Sequence, residues 1–132
     1  MILLDTHVLL WFRLGSHRIG PRCKELMRRG LQESTLAASA FSFWEIALLH
    51  DKGRMNLLQD VRAWRSRLLR DGLNEVPVNG DIAIRANGLQ DFHADPADRV
   101  IVATALGGHS LVTADDRILS WSGQLRRVDA RE

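Results

Sequence analysis

Short apolar runs alternate along this chain with longer stretches whose apolar residues recur at helical spacing. Ile2-Leu3-Leu4 is an uninterrupted apolar run ending on Asp5, the pattern of a strand buried on both faces of a parallel sheet. A helix is predicted over 6–13, and the glycines and proline of 15–21 mark a loop. Pro21 suits the first turn of a helix continuing to about residue 30. A strand near 35–38 leads into a helix that carries Glu45 and ends around Lys52-Gly53, glycine being the usual C-terminal stop. Residues 60–71 read as an amphipathic helix, with Val61, Trp64 and Leu68 on one face and Arg62, Arg65, Arg67 and Arg70 over the rest. Residues 75–78 form a strand that Pro77 confines to a sheet edge or strand end. Helices over 81–90 and 96–106, a strand over 110–113, a short helix over 117–121 and a strand over 126–129 complete the series. Strands alternating with helices define the α/β class, a parallel sheet with helices on both faces.

Length and composition narrow the setting. At 132 residues, without repeats or a linker, the chain reads as a single domain, 1–132, able to bury a core. Its 45% hydrophobic and 26% charged residues are those of an ordinary globular protein. No apolar stretch reaches bilayer length, and Asp5 interrupts the first run too early for a signal peptide. No membrane association is therefore expected, and the cytoplasm is the expected compartment. A single cysteine, Cys23, excludes an internal disulfide and a cysteine-based zinc site; it reads as a small half-buried helix residue. Net charge is only +2, but all the basic residues except Lys24 and Lys52 are arginine, the side chain best suited to phosphates and bases. That balance permits a nucleic-acid substrate.

The chemistry lies in the acids. Asp5 ends the first strand, and in open α/β sheets the site lies outside the carboxyl ends of the strands. Asp95 and Asp98 flank Pro96 before an apolar helix, Asp115 and Asp116 follow the apolar strand 110–113, and Glu45 sits among apolar residues. Acids gathered at one rim repel one another unless a cation joins them, which suggests a hard divalent metal. Each acid also has a structural reading. Asp5 and Asp95 fit helix N-caps, Asp98 fits an acid in the first helical turn, and Asp116 fits the cap of the short helix that follows. Asp98 shares a helix face with Ile101, Val102 and Ala105, which must pack on the sheet, so its carboxylate should emerge beside Asp5. Glu45 must face solvent or be compensated, and Ser42, one turn earlier, is placed to orient it. Strand alternation puts Thr113 and Asp115 on one side and Asp116 on the other, without choosing between the acids. The histidines fit no zinc-binding or catalytic spacing, so His7 and His93 are read as surface or packing residues.

Four strings, in order, resemble the PIN-domain family and within it the VapC-type toxins of bacterial toxin–antitoxin pairs. They are Leu4-Asp5-Thr6-His7, Ser42-Phe43-Trp44-Glu45-Ile46-Ala47 with Lys52-Gly53-Arg54, Asp95-Pro96-Ala97-Asp98-Arg99 with Ala103-Thr104-Ala105, and Leu111-Val112-Thr113-Ala114-Asp115. The resemblance implies a three-layer α/β/α fold with a mainly parallel sheet of four to five short strands and a helical clip formed by about 51–73. It implies a Mg2+-dependent endoribonuclease, with Mn2+ as substitute, whose catalytic and metal-binding residues are Asp5, Glu45, Asp98 and Asp115. Asp98 is favoured over Asp95, and Asp115 over Asp116, because the family's acids stand at those positions. Thr6 resembles the hydroxyl residue that follows the family's first acid and donates to a carboxylate. The implied partners are RNA, a cognate antitoxin and a second copy of the chain. Trp11, Trp44, Trp64 and Trp121 offer apolar material for such contacts. Arg85, Arg99 and the arginines of 60–71 are the candidates for gripping phosphate.

Two other readings compete. A phosphoaspartyl-type phosphotransferase would need an acid where His7 stands and a lysine near the later acids, and neither is present. A PIN-like protein-binding scaffold without catalysis would be expected to have lost some of the acids retained here.

Overall fold

The computed structural model describes residues 1–132. Its elements are β1 (Ile2–Leu4), α1 (Thr6–Arg13), α2 (Pro21–Gln32), β2 (Leu36–Ser39), α3 (Ala40–Asp51), α4 (Val61–Arg70), β3 (Asn74–Val76), α5 (Gly80–Asn87), α6 (Pro96–Ala105), β4 (Ser110–Thr113), α7 (Asp116–Leu119) and β5 (Arg127–Asp129). The five strands form one sheet in the order β3-β2-β1-β4-β5. Every neighbouring pair is parallel, so the mainly parallel sheet expected from sequence is wholly so.

Period-two alternation in the strands sorts the core into two layers. Leu4, Leu36, Ala38 and Val112 pack with Val8, Leu9, Met27, Ile46, Trp64 and Leu68 from α1 to α4. Leu3, Ala37 and Leu111 point the other way, onto Ile101, Val102, Ala105, Ile118 and Trp121. Helices thus cover both faces, and Leu3 and Leu4, neither accessible to solvent, anchor β1 at the middle of the molecule. Each such burial contributes roughly 1.5–3 kcal/mol. No helix is long and apolar enough to cross a membrane.

Several local expectations change. β3 stops at Val76, before Pro77, because proline cannot donate to the ladder. Trp64 and Trp121 are core residues at 5% and 9% exposure, whereas Trp44 is 57% exposed, so only part of the proposed aromatic surface exists. The helical excursion after α3 is held down by Leu57, Trp64, Leu68 and Leu73, all in the core. Cys23 is fully buried in α2, its thiol donating to the Asp129 carbonyl at 3.2 Å.

Arg99 has a role that sequence did not suggest. Its guanidinium donates to the carbonyls of Ala86, Asn87, Leu89, Phe92 and His93 at 2.8–3.1 Å. Those carbonyls belong to the end of α5 and the loop that follows, so one side chain shapes the whole connection into α6. With its donors engaged in this way Arg99 is not a phosphate grip. Arg85 donates through one nitrogen to the Ala103 carbonyl at 2.9 Å.

Candidate active site

The chain runs from β1 to β2 and β3 on one side, then returns to β4 and β5 on the other. The sheet order therefore reverses between β1 and β4, and a crevice opens beyond their carboxyl ends. Register places Leu4 beside Val112, so the residues that follow these strands, Asp5 and Thr113 to Asp115, meet at one rim. α6 brings its N-terminus there and α3 brings Glu45. The result is a cleft of about 270 Å³ whose walls include Asp5, Glu45, Asp95, Asp98, Asp115 and Arg117. His7 also lines it, from an exposed position on α1.

Asp5 is 7% exposed and held by two donors. As N-cap of α1 it accepts from the Thr6 amide at 2.8 Å, and its second oxygen accepts from the Thr113 hydroxyl at 2.7 Å. Capping and site placement are thus one conformation. Thr113 in turn accepts from the Asp115 amide at 3.1 Å, which ties the ends of β1 and β4 together. Thr6 uses its hydroxyl on Glu45 and lies 2.8 Å from the Ser42 hydroxyl. With Glu45 ionised, the single Thr6 proton goes to the carboxylate and Ser42 supplies the remaining bond. Ser42 thus reaches Glu45 through Thr6.

Asp95 caps α6 by accepting from the Asp98 amide at 3.2 Å, as its Asp-Pro setting implied. Asp98 points into the cleft, where its Oδ2 lies 2.7 Å from His93 Nε2 and 3.4 Å from Arg117 Nη2. Asp115, not Asp116, caps α7: it accepts from the Arg117 amide at 2.8 Å and from its guanidinium at 3.0 and 3.3 Å. The first helical residue, Asp116, turns outward to Arg131 at 2.8 Å. The cap expected at Asp116 therefore sits one residue earlier, because the extended backbone after β4 ends at Asp115.

The electrostatics follow from this crowding. Burial, with repulsion from Asp98, pushes the Asp5 carboxyl above the usual range despite its two donors. Glu45 is raised by burial and by Asp5 and Asp98, and Asp98 by burial and by Asp95 and Asp115. For Asp115, burial acts upward, but the bonds and charge of Arg117 outweigh it and bring the carboxyl below the usual range. His93, Asp98 and Asp115 each offer one ligand atom, all within 4.8 Å of one another. Two carboxylates and an imidazole at that separation suit a divalent cation, with Asp5 and Glu45 on the adjoining wall.

All four acids singled out from sequence share the cleft. His93, Thr113 and Arg117 were missed as site residues. Nothing in the spacing of His93 marks it, since its position depends on the loop that Arg99 gathers. Thr113 could have been found by asking which donor compensates a buried Asp5.

Comparison with known proteins agrees with this architecture. A family model, the PIN domain, matches residues 2–122. Ribonuclease VapC22 of Mycobacterium tuberculosis (strain ATCC 25618 / H37Rv) is 33% identical over 121 residues, spanning 90% of this chain and 90% of the relative. Among solved structures, a toxin-antitoxin complex from Klebsiella pneumoniae matches with a TM-score of 0.65 at 22% identity, over 98% of each chain. VapBC2 from Rickettsia felis bound to a DNA fragment from their promoter gives 0.63 at 13% identity, over 90% of this chain and 92% of that one. At those identities the structural likeness concerns the fold. The family match covers nearly the whole chain, acids included, and on that ground this protein belongs to the PIN-domain family, among the VapC-type proteins.

Proposed function

We propose that this chain is a divalent-metal-dependent endoribonuclease acting in the cytoplasm as the toxin of a toxin–antitoxin pair. The observation that carries the reading is the meeting of Asp5, Glu45, Asp98 and Asp115, from four separate segments, in one open cleft. The relative named a ribonuclease supports RNA as the substrate. Carboxylates crowded until their protons are held too tightly form a donor set that needs a cation. Mg2+ is the proposed ion and Mn2+ its substitute, as suits a donor set of carboxylates.

Asp5, Asp98 and Asp115 are the residues proposed to hold the ion, with Glu45 completing the set directly or through water. When bound, such an ion lowers the pKa of a coordinated water and neutralises charge on the phosphoryl oxygen. The chain's own contribution is orientation. Thr6 and Thr113 hold Asp5 from both sides, Thr6 holds Glu45, and His93 holds Asp98. Each carboxylate keeps lone pairs free toward the cleft while its torsion is restricted. No side-chain nucleophile is needed. Water attacks the phosphorus, the leaving group is the 3′-oxygen, and the products carry 5′-phosphate and 3′-hydroxyl ends.

The proposed partners are a cognate antitoxin and a second copy of the chain. Trp44 and Leu48, 57% and 37% exposed on α3, support protein contact there. Incubating the protein with a mixed RNA pool tests the enzymatic reading: cleavage with Mg2+ or Mn2+ and its loss in EDTA are expected. Cleavage insensitive to EDTA overturns the metal dependence, and no cleavage under any metal overturns the enzymatic reading and favours a scaffold role.

A further inference from the structure

Arg117 is the one basic side chain apart from His7 on the wall of the acidic cleft. Its guanidinium bonds Asp115 at 3.0 Å and reaches Asp98 at 3.4 Å, two of the three residues whose ligand atoms lie within 4.8 Å of one another. A positive group thus bridges two of the three side chains that could hold a cation. We infer that Arg117 is a displaceable counter-ion: it bridges Asp98 and Asp115 while no metal is present, yields them when a divalent cation arrives, and then turns its guanidinium to a substrate phosphate at the cleft mouth. The inference rests on the metal-dependent reading of the site.

The two sides of this contact differ in mobility. Asp98 and Asp115 are 14% and 23% exposed in their side chains, and further bonds fix them: His93 for the first, the Arg117 and Thr113 contacts of the α7 cap for the second. The Arg117 side chain is 60% exposed and bonds nothing except these two carboxylates. Exchanging its single charge for a divalent one therefore disturbs no packing. Other arginines cannot take this role. Arg99 is bonded to five carbonyls, and Arg131 is engaged by Asp116 and Asp129 outside the cleft. Once released, a guanidinium on a short tether at the rim presents a planar fork of donors, the geometry that matches phosphate oxygens.

Mn2+ titration of the intact protein, followed by electron paramagnetic resonance of free Mn2+ without RNA, isolates the first half. Arg117→Gln should bind Mn2+ about three- to ten-fold more tightly, the range set by a partly exposed ion pair that no longer competes. Arg117→Lys should fall between that variant and the parent, and Arg131→Gln should match the parent. Unchanged or weaker Mn2+ binding in Arg117→Gln overturns the inference, as does equal tightening in Arg131→Gln, which would reduce the effect to net charge. Steady-state RNA cleavage at saturating Mn2+ isolates the second half. KM should rise several-fold in Arg117→Gln with a smaller change in kcat, and an unchanged KM overturns the phosphate contact. Because the Mn2+ measurement contains no RNA, failure of the ribonuclease reading would show separately, as metal binding without cleavage.

Discussion

The Thr113 hydroxyl donates to the buried carboxylate of Asp5 across 108 residues of sequence, at 2.7 Å. This bond joins the ends of the two central strands and fixes the most enclosed acid of the cleft. Thr113→Val keeps the shape but removes the donor, leaving a buried carboxylate short of a partner. A loss of roughly 1.5–3 kcal/mol is expected, as for a hydrogen bond to a charged group, with cleavage falling alongside. Thr113→Ser should recover most of both. Urea denaturation and a cleavage assay on the three proteins check this; a Val variant as stable and active as the parent would refute it.

Acid crowding gives stability an unusual pH response. The carboxyls of Asp5, Glu45 and Asp98 are raised, so the folded chain still holds protons at a pH where the unfolded chain has released them. Stability therefore falls as pH rises from the ordinary carboxylate range through the raised values. Asp71, Glu75 and Asp129 are lowered by their arginine partners, so their contribution disappears only at more acid pH. The metal-free protein should melt higher at mildly acid pH, about 5, than at about pH 8. Mn2+ should raise Tm more at the higher pH, and Asp98→Asn should flatten the pH profile. Thermal melts across this window decide the matter.

Neighbouring acids should separate by function. Asp98→Asn should reduce cleavage by at least about 100-fold, on the scale of removing a transition-state contact, whereas Asp95→Ala should cost about 1 kcal/mol of stability as a lost cap and far less activity. Asp115→Asn retains a good capping residue, so its expected loss of activity reflects charge and not helix fraying. Asp116→Asn should leave kcat nearly unchanged. A reversed order in single-turnover kinetics would transfer the metal role to the neighbour.

His93 depends on Arg99. Arg99→Ala frees five carbonyls and should destabilise the fold by roughly 3 kcal/mol while also lowering cleavage, since the loop that aims His93 at Asp98 is lost. His93→Ala should lower cleavage and Mn2+ affinity by about ten-fold or more, as for other partners of metal ligands, with little change in stability. Comparing denaturation midpoints and Mn2+ affinities for both variants tests the dependence.

The strands and helices were largely readable because local signals agreed with the tertiary structure. Ile2-Leu3-Leu4 before Asp5, Pro21 at a helix start and Gly53 after α3 all hold. Asp5, Asp98 and Asp115 were legible because each ends a strand or enters a helix at the same rim, and Glu45 because an acid among apolar residues needs compensation. What escaped depends on contacts distant in sequence. Arg65 looked like a phosphate grip, yet it forms a bidentate pair with Glu75 at 2.6 and 2.8 Å and lies 5.7 Å from the Phe43 ring centre. Arg67 pairs with Asp71 at 3.3 Å, a contact that helical spacing allows, whereas neither Glu75 nor Phe43 follows from spacing for Arg65. Arg99 resembled every other arginine until the carbonyls around it were in place. Trp64 and Trp121 were misplaced because the cover over each comes from distant segments: Phe43 lies beside Trp64, and Trp121, beyond the end of α7, packs on Phe92 and donates to the Gln90 carbonyl.

The position of β1 in the middle of the sheet has a temporal consequence. During synthesis Asp5 is made first, but the strand beside it that supplies Thr113 and leads to Asp115 comes more than a hundred residues later. Sheets that close through such distant pairs cannot assemble from local segments. A nascent chain therefore carries its first acid without the hydroxyl that holds it or the carboxylates that face it. Until β4 has left the ribosome and docked against β1, the cleft that gathers the four acids does not exist.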